Sequence, residues 1–209
     1  MDWAGHILFS IGGADILVID ALCSALGLLC VFLAGRNSKY NFWVGYAYTA
    51  ALFVMFWDKS LYANLLLQPV SLAINVLGHW RWTHPKAHEE SAADSSSLKV
   101  SMLTWTERGL LAAGVLIVAG LWGWTLDSLF PVDPHPYIDS CVTVLILAAQ
   151  LLSAVKKWDC WVVWGLVNIS QIIMHVSVGN IFMPIVCSLY LINGIWSLFT
   201  WMKLYRNKS

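Results

Sequence analysis

The sequence predicts an all-α integral membrane protein with seven transmembrane helices. Three observations carry the prediction: bulk composition, the length of the apolar runs, and the side on which the basic residues fall. Of the 209 residues, 59% are hydrophobic and 11% charged, with a mean hydropathy of +0.68, outside the range of soluble domains. A helix of about 20 apolar residues crosses a bilayer, and seven segments qualify: Ile16 to Ala34, Asn41 to Trp57, Leu61 to Trp80, Gly109 to Leu126, Ile138 to Val155, Cys160 to Val178 and Ile181 to Met202. Basic residues alternate between the connections. Arg36 and Lys39 follow span 1, Arg81, Lys86, Lys99 and Arg108 surround the connection after span 3, Lys156 and Lys157 follow span 5, and Lys203, Arg206 and Lys208 end the chain. The other side holds Asp2, Asp15, Asp58 with Lys59, Asp127 and Asp133. The positive-inside rule then gives an outside N-terminus and a cytoplasmic C-terminus, and an odd number of spans agrees with it.

Taken in order, residues 1–15 read as an interfacial segment, since they lack the basic n-region of a signal peptide. Residues 16–82 form a first three-helix bundle, and 83–106, rich in Ser, Ala and charge, a cytoplasmic loop. Residues 107–126 form a linker helix whose Gly109, Gly114, Gly120 and Gly123 allow close packing. Residues 138–203 form a second bundle and 204–209 a cytoplasmic tail. Cys23, Cys30, Cys141, Cys160 and Cys187 sit in or beside apolar segments without metal-ligand spacing and read as small core residues. The 12 basic and 12 acidic residues cancel, which argues against a nucleic-acid partner.

Sliding the chain on itself by 118 to 119 residues aligns spans 1 to 3 with spans 5 to 7. Ile19-Asp20 falls on Ile138-Asp139, Arg36 to Lys39 on Lys156-Lys157, Thr49 on Asn168, Ser71 on Tyr190, Asn75 on Asn193 and His79 on Ser197. With one span between them, both triplets enter the membrane from the same side. The repeat is therefore parallel, about an axis along the membrane normal, in a 3+1+3 plan.

Polar side chains at helical spacing mark the faces turned to that axis. Span 6 carries Trp161, Trp164, Asn168, Gln171 and His175; span 3 carries Asn64, Gln68, Ser71, Asn75 and His79; span 7 carries Cys187, Tyr190, Asn193 and Ser197. A buried amide in hydrocarbon costs several kcal/mol unless it is paired or wetted, so the stripes imply a central cavity for a polar, aromatic, cationic small molecule. Each such residue also has a simpler reading, as a bridge between helices worth about 0.6 to 2 kcal/mol. Trp3, Trp57, Trp80, Trp82, Trp122, Trp124, Trp158 and Trp201 lie near span ends and read as interfacial anchors. Trp161 fits either role, while Trp164 lies deeper. Asp20 and Asp139 either draw a cation to the mouth or stabilise helix N-termini. Pro69 and Pro184 each remove a backbone bond and suit a bend or gate.

On these residues the chain resembles the PnuC family of bacterial vitamin transporters. Trp161-x-x-Trp164-x-x-Val167-Asn168 is similar to the family's helix 6 signature, and Asn41-Phe-Trp-Val-Gly45, Leu67-Gln68, Asn75-x-x-Gly78 and Ile138-Asp139-Ser140 fall where the family has similar stretches. The resemblance implies a SWEET-like fold, inner-membrane uptake of nicotinamide riboside by facilitated diffusion, and trapping of the vitamin by a cytosolic riboside kinase. The stripes, the repeat and the resemblance together make Trp161, Trp164, Asn168, Gln171, Gln68, Ser71, Asn75, Tyr46, Tyr48, Thr49, Tyr190 and Asn193 the substrate-binding candidates. Pro69, Pro184, Asp20 and Asp139 are gating candidates. Thiamine or another vitamin, or a sugar, are the alternative substrates, and a homo-oligomer is compatible with the chain. No resident cofactor or metal is expected. With no HExxH, no Gly-x-Ser-x-Gly and no paired intramembrane carboxylates, the residues argue against an enzyme. His79, His84 and His88 lack an acidic or cysteine partner at ligand spacing.

Overall fold

The computed structural model describes residues 5–11, 14–59, 62–86, 89–91, 94–129, 136–177 and 179–207. Asp2, Trp3, His88, Asp133 and Lys208 lie outside the described residues. Seven helices run in chain order: α1 Val18–Gly35, α2 Tyr40–Asp58, α3 Tyr62–Thr83, α4 Trp105–Leu129, α5 Pro136–Ala154, α6 Cys160–Ser177 and α7 Phe182–Arg206. They agree with the seven apolar segments to within a few residues. Five of them, α1, α4, α5, α6 and α7, are apolar and long enough to cross a membrane by composition. With 19 and 22 residues, α2 and α3 have the length. Their hydropathy is diluted by Tyr40, Trp43, Tyr46, Tyr48 and Trp57 in α2 and by the amide and histidine ladder in α3.

Two short hairpins, absent from the sequence-based expectation, complete the fold. Strands β1 Ile7–Ile11 and β2 Ala14–Leu17 pair antiparallel ahead of α1, so the N-terminal segment is folded as a ribbon and Ile16 belongs to a strand rather than to span 1. Phe9 meets Phe182 edge-on at 6.2 Å, tying the ribbon to the start of α7. Strands β3 Glu90–Ser91 and β4 Asp94–Leu98 pair within the connection after α3. Strands this short give too few alternating positions to be seen in a sequence.

Six helices pack in a closed order, α1 against α2, α2 against α3, α3 against α5, α5 against α6, α6 against α7 and α7 against α1, and α4 lies on α5. Side chains such as Leu116, Ile117 and Leu121 leave α4 largely exposed, the surface a lipid solvent requires. Of its glycines only Gly123 receives a neighbour, the ring of Tyr137; around Gly109, Gly114 and Gly120 there is open space. A glycine-mediated close approach of α4 is thus confined to Gly123.

Local geometry recurs at an offset of 119 residues. The turns after α1 and α5 each hold a left-handed residue, Asn37 at φ 60° and Lys156 at φ 58°. Their amides donate to Ala34 and Ser153 at 2.9 and 3.0 Å, and those of Ser38 and Lys157 to Leu33 and Leu152 at 3.0 and 2.9 Å. Ser197 packs on Gly35 as Gly78 packs on Ala154. This register sets Asn75 level with Gly194 and His79 level with Leu198, one residue away from the Asn193 and Ser197 expected from the polar pattern.

Candidate functional site

The ring of helices is closed at the end that carries the basic turns. Phe42, Trp82, Trp161 and Trp201, from α2, α3, α6 and α7, bury their rings with Ala34 of α1 and Leu152 of α5. Phe42 and Trp82 meet at 5.1 Å, Trp82 and Trp201 at 5.8 Å, and Trp161 and Trp201 at 5.5 Å. Each such ring removes about 150–250 Å² from contact with solvent, making a continuous floor. Trp161, a candidate for substrate stacking, is part of this floor; its indole nitrogen is buried with no hydrogen-bond partner.

Residues 98–104 cross the outside of that floor as a strap. Leu98, Val100 and Leu103 bury their side chains in the same cluster. The strap is bonded to the α5–α6 turn: Ser101 donates to the Lys156 carbonyl at 3.1 Å and accepts from the Trp158 amide at 3.0 Å. The Lys156 ammonium donates to the Leu98 carbonyl at 2.6 Å and lies 4.4 Å over the Trp82 ring. Asp159 accepts from the Leu103 amide at 2.8 Å and pairs with Arg108 at 2.8 Å. Lys156 stood out in the sequence only as a basic residue of the turn after span 5, and Asp159 not at all. The one available signal was an acidic residue inside an otherwise basic turn.

Above the floor the polar stripes face the interior in pairs. Ser71 of α3 donates to Gln150 of α5 at 2.8 Å, joining the two halves. Gln150, which no stripe included, belongs to the site on this contact. Cys187 of α7 lies 3.5 Å from the Gln171 amide oxygen of α6. The rings of Tyr48 and Tyr190 meet over Gly27, where a β-carbon would strike the Tyr190 hydroxyl and crowd Tyr48. Asn75 fits against Gly45 and donates to the Phe42 carbonyl at 3.3 Å. Asn168 and Thr49, at equivalent positions, donate back to Trp164 and Gly45 at 2.8 and 2.9 Å, the usual refuge of a polar side chain in an apolar helix. The amide oxygen of Gln68 and the amide nitrogen of Asn193 are buried without a partner, and such groups are costly unless something polar meets them. Trp164 is half-buried against the floor.

Some candidates stand apart from this centre. Tyr46 bonds His79 at 3.0 Å, and His79 packs on Phe42 and Trp43 beside a shallow cavity near Lys39 and Tyr40. Asp20 lies in the first turn of α1, accepts from the Leu17 amide and pairs with Lys59, which is the helix-stabilising arrangement. Asp139 holds the matching place in α5. Pro69 is interior to α3. Pro184 is the third residue of α7, where the missing N–H would have had no intrahelical partner, so it forces no break.

Comparison with known proteins agrees with this architecture. The nicotinamide riboside transporter PnuC of Escherichia coli (strain K12) is 26% identical over 192 residues, 83% of this chain and 80% of that protein. The riboflavin/roseoflavin transporter RibM of Streptomyces davaonensis is 23% identical over 209 residues, 100% of this chain and 96% of that one. A crystal structure of the vitamin B3 transporter PnuC matches with a TM-score of 0.73 at 21% identity, covering 91% of this chain and 83% of that chain. The family model for nicotinamide mononucleotide transporters matches residues 17–203, and the chain accordingly belongs to that family of multi-pass membrane transporters, the PnuC family.

Proposed function

We propose that this protein is a uniporter for nicotinamide riboside in the bacterial inner membrane, with its N-terminus outside and its C-terminus in the cytoplasm. The observation that carries the choice of cargo is the charge of the helix interiors. Away from the helix ends, α1, α2, α3, α5, α6 and α7 contain no Lys or Arg. The family model is described by a mononucleotide and the PnuC relatives by a riboside; a phosphate would find no cation here, while a pyridinium, a carboxamide and ribose hydroxyls find aromatic faces and amides. Trp164 and Tyr48 are suited to the cationic ring, each cation–π contact giving about 0.5–2 kcal/mol. Asn168, Gln171, Gln68 and Asn193 are suited to the polar groups.

In this scheme all seven helices cross the membrane, as two parallel three-helix bundles joined by α4, and the substrate sits between them. The closed packing order and the 119-residue recurrence support that plan. Release to the cytoplasm requires the tryptophan floor and the strap to part. Net uptake follows from trapping by a cytosolic kinase rather than from a coupled ion.

The whole-length match to RibM favours riboflavin as a second reading. Calorimetry on the detergent-solubilised protein with nicotinamide riboside, thiamine, riboflavin, nicotinamide mononucleotide and glucose separates the readings, with Asn168→Ala as control. Riboside binding lost in the variant supports cargo and site together. Riboflavin or thiamine binding alone keeps the fold and changes the cargo, and glucose binding overturns the cationic-ring assignment.

A further inference from the structure

Among the described glycines, Gly194 is unusual in being buried with nothing against it. A β-carbon on buried Gly27, Gly35, Gly45, Gly78 or Gly123 would meet a neighbouring side chain, whereas one on Gly194 would meet no heavy atom within 4 Å beyond its own helix backbone. Its helical position says where the gap opens. Gly194 lies one heptad from Cys187, which faces Gln171, and one heptad from Trp201, which abuts Trp161, so all three share a face of α7. Between those two contacts α6 presents Trp164 and Asn168. The 119-residue recurrence makes the gap a broken symmetry. Gly194 is level with Asn75 and Trp164 with Gly45, and in the first half the Asn75 amide fills the Gly45 cradle. In the second half the register of the two flanking contacts sets the large residue, Trp164 of α6, level with the bare backbone of Gly194 on α7.

We propose that Gly194 is a specificity-determining residue: its missing side chain leaves a flat slot between the Trp164 indole and the α7 backbone that admits the planar ring of the substrate, and only in the second half. The inference rests on the cargo reading above. The first half has no such slot, so the ring has a single orientation, with the ribose directed to the Ser71 and Gln150 side of the interior.

The test is Gly194→Ala and Gly194→Val, each read by nicotinamide riboside calorimetry and by thermal unfolding of the same detergent-purified sample. Because the added carbon meets empty space and alanine favours a helix over glycine, Gly194→Ala keeps or raises the unfolding temperature. Riboside binding nevertheless falls roughly tenfold or more, the scale of one misplaced methyl group in a pocket, and Gly194→Val abolishes it. Unchanged riboside affinity in a folded Gly194→Ala protein overturns the slot. A loss of affinity accompanied by a fall in unfolding temperature also overturns it, since that marks a packing role. Absence of riboside binding in the unmodified protein refutes the cargo instead; the same pair of variants titrated with thiamine and riboflavin then tests the slot against the ring actually bound.

Discussion

Trp82 and Trp201 stand 119 residues apart in sequence and 5.8 Å apart ring to ring. Each indole N–H reaches across to a carbonyl near the end of the other half's first helix: Trp82 donates to Ser153 and Trp201 to Ala34. The acceptors are themselves 119 residues apart. Two aromatic residues that read as interfacial anchors are therefore the clasp between the halves.

That clasp sets unequal costs for two substitutions at one position. Trp201 is 0% exposed, so Trp201→Ala should destabilise by about 3–5 kcal/mol through the cavity it leaves. Trp201→Phe removes the hydrogen bond, worth about 1 kcal/mol, and part of the ring volume, so it should cost more than about 1 kcal/mol but less than Trp201→Ala. Chemical denaturation in detergent micelles measures both, and a Trp201→Phe protein as stable as the parent would refute the assignment of the indole bond.

The strap yields an accessibility experiment. Cys160 is fully buried beneath it, and the other four cysteines can be replaced by serine to leave a single reporter. Asp159→Asn removes the charge that holds Arg108 and weakens the acceptor for the Leu103 amide. The pair is only partly buried on the Arg108 side, so the loss is that of a charge-assisted hydrogen bond, about 1.5–3 kcal/mol, and maleimide labelling of Cys160 should accelerate roughly tenfold or more in Asp159→Asn. Lys156→Met should accelerate it as well. Labelling as slow as in the parent protein would mean that the strap does not close this end.

At Gly27 the expected effect is a clash with a specific cure. A methyl group there strikes the Tyr190 hydroxyl and approaches Tyr48, and overpacking of this kind costs about 1–3 kcal/mol. Tyr190→Phe removes the struck atom, so the double variant Gly27→Ala with Tyr190→Phe should recover part of the lost thermal stability. No recovery would place the two rings elsewhere.

Ser71 and Gln150 join the two halves by one hydrogen bond. In a membrane protein such a bond contributes about 0.6–2 kcal/mol. Gln150→Leu should lower stability by that amount, and adding Ser71→Ala should cost little more, because the two share one interaction. Additive losses in a double-mutant cycle would show that the pair is not coupled.

The helices were legible because their signal is long: some twenty residues of one character outweigh any local exception. The recurrence was legible too, from Ile19-Asp20 with Ile138-Asp139 and from the basic turns, yet its register near Asn75 and His79 was off by one. Amides attract alignment, whereas Gly78, whose close approach to Ala154 matches that of Ser197 to Gly35 and sets the register, has no polar signature. The strap was invisible for a related reason. Leu98, Val100 and Leu103 are ordinary apolar residues in a polar connection, and their burial depends on a turn almost sixty residues later. Trp161 illustrates the limit at the site, since its spacing matches Trp164 and Asn168 but its depth, one turn nearer the helix end, commits it to the floor.

Among the described hydrogen bonds, the strap is tied to the turn after α5 and not to the matching turn after α1. At Lys156 a left-handed backbone, unfavourable for lysine, is held by an ammonium that anchors the strap; at Asn37 the same conformation suits the residue and anchors nothing comparable among the described contacts. The two sides of this closed end therefore differ as a hinged edge differs from a latched one. Parting the latched edge means breaking the Arg108–Asp159 ion pair and the strap's hydrogen bonds, whereas the edge at α1 is tied by the Trp201 indole to the Ala34 and Gly35 carbonyls alone among the described polar contacts to the floor, so the two edges resist separation unequally.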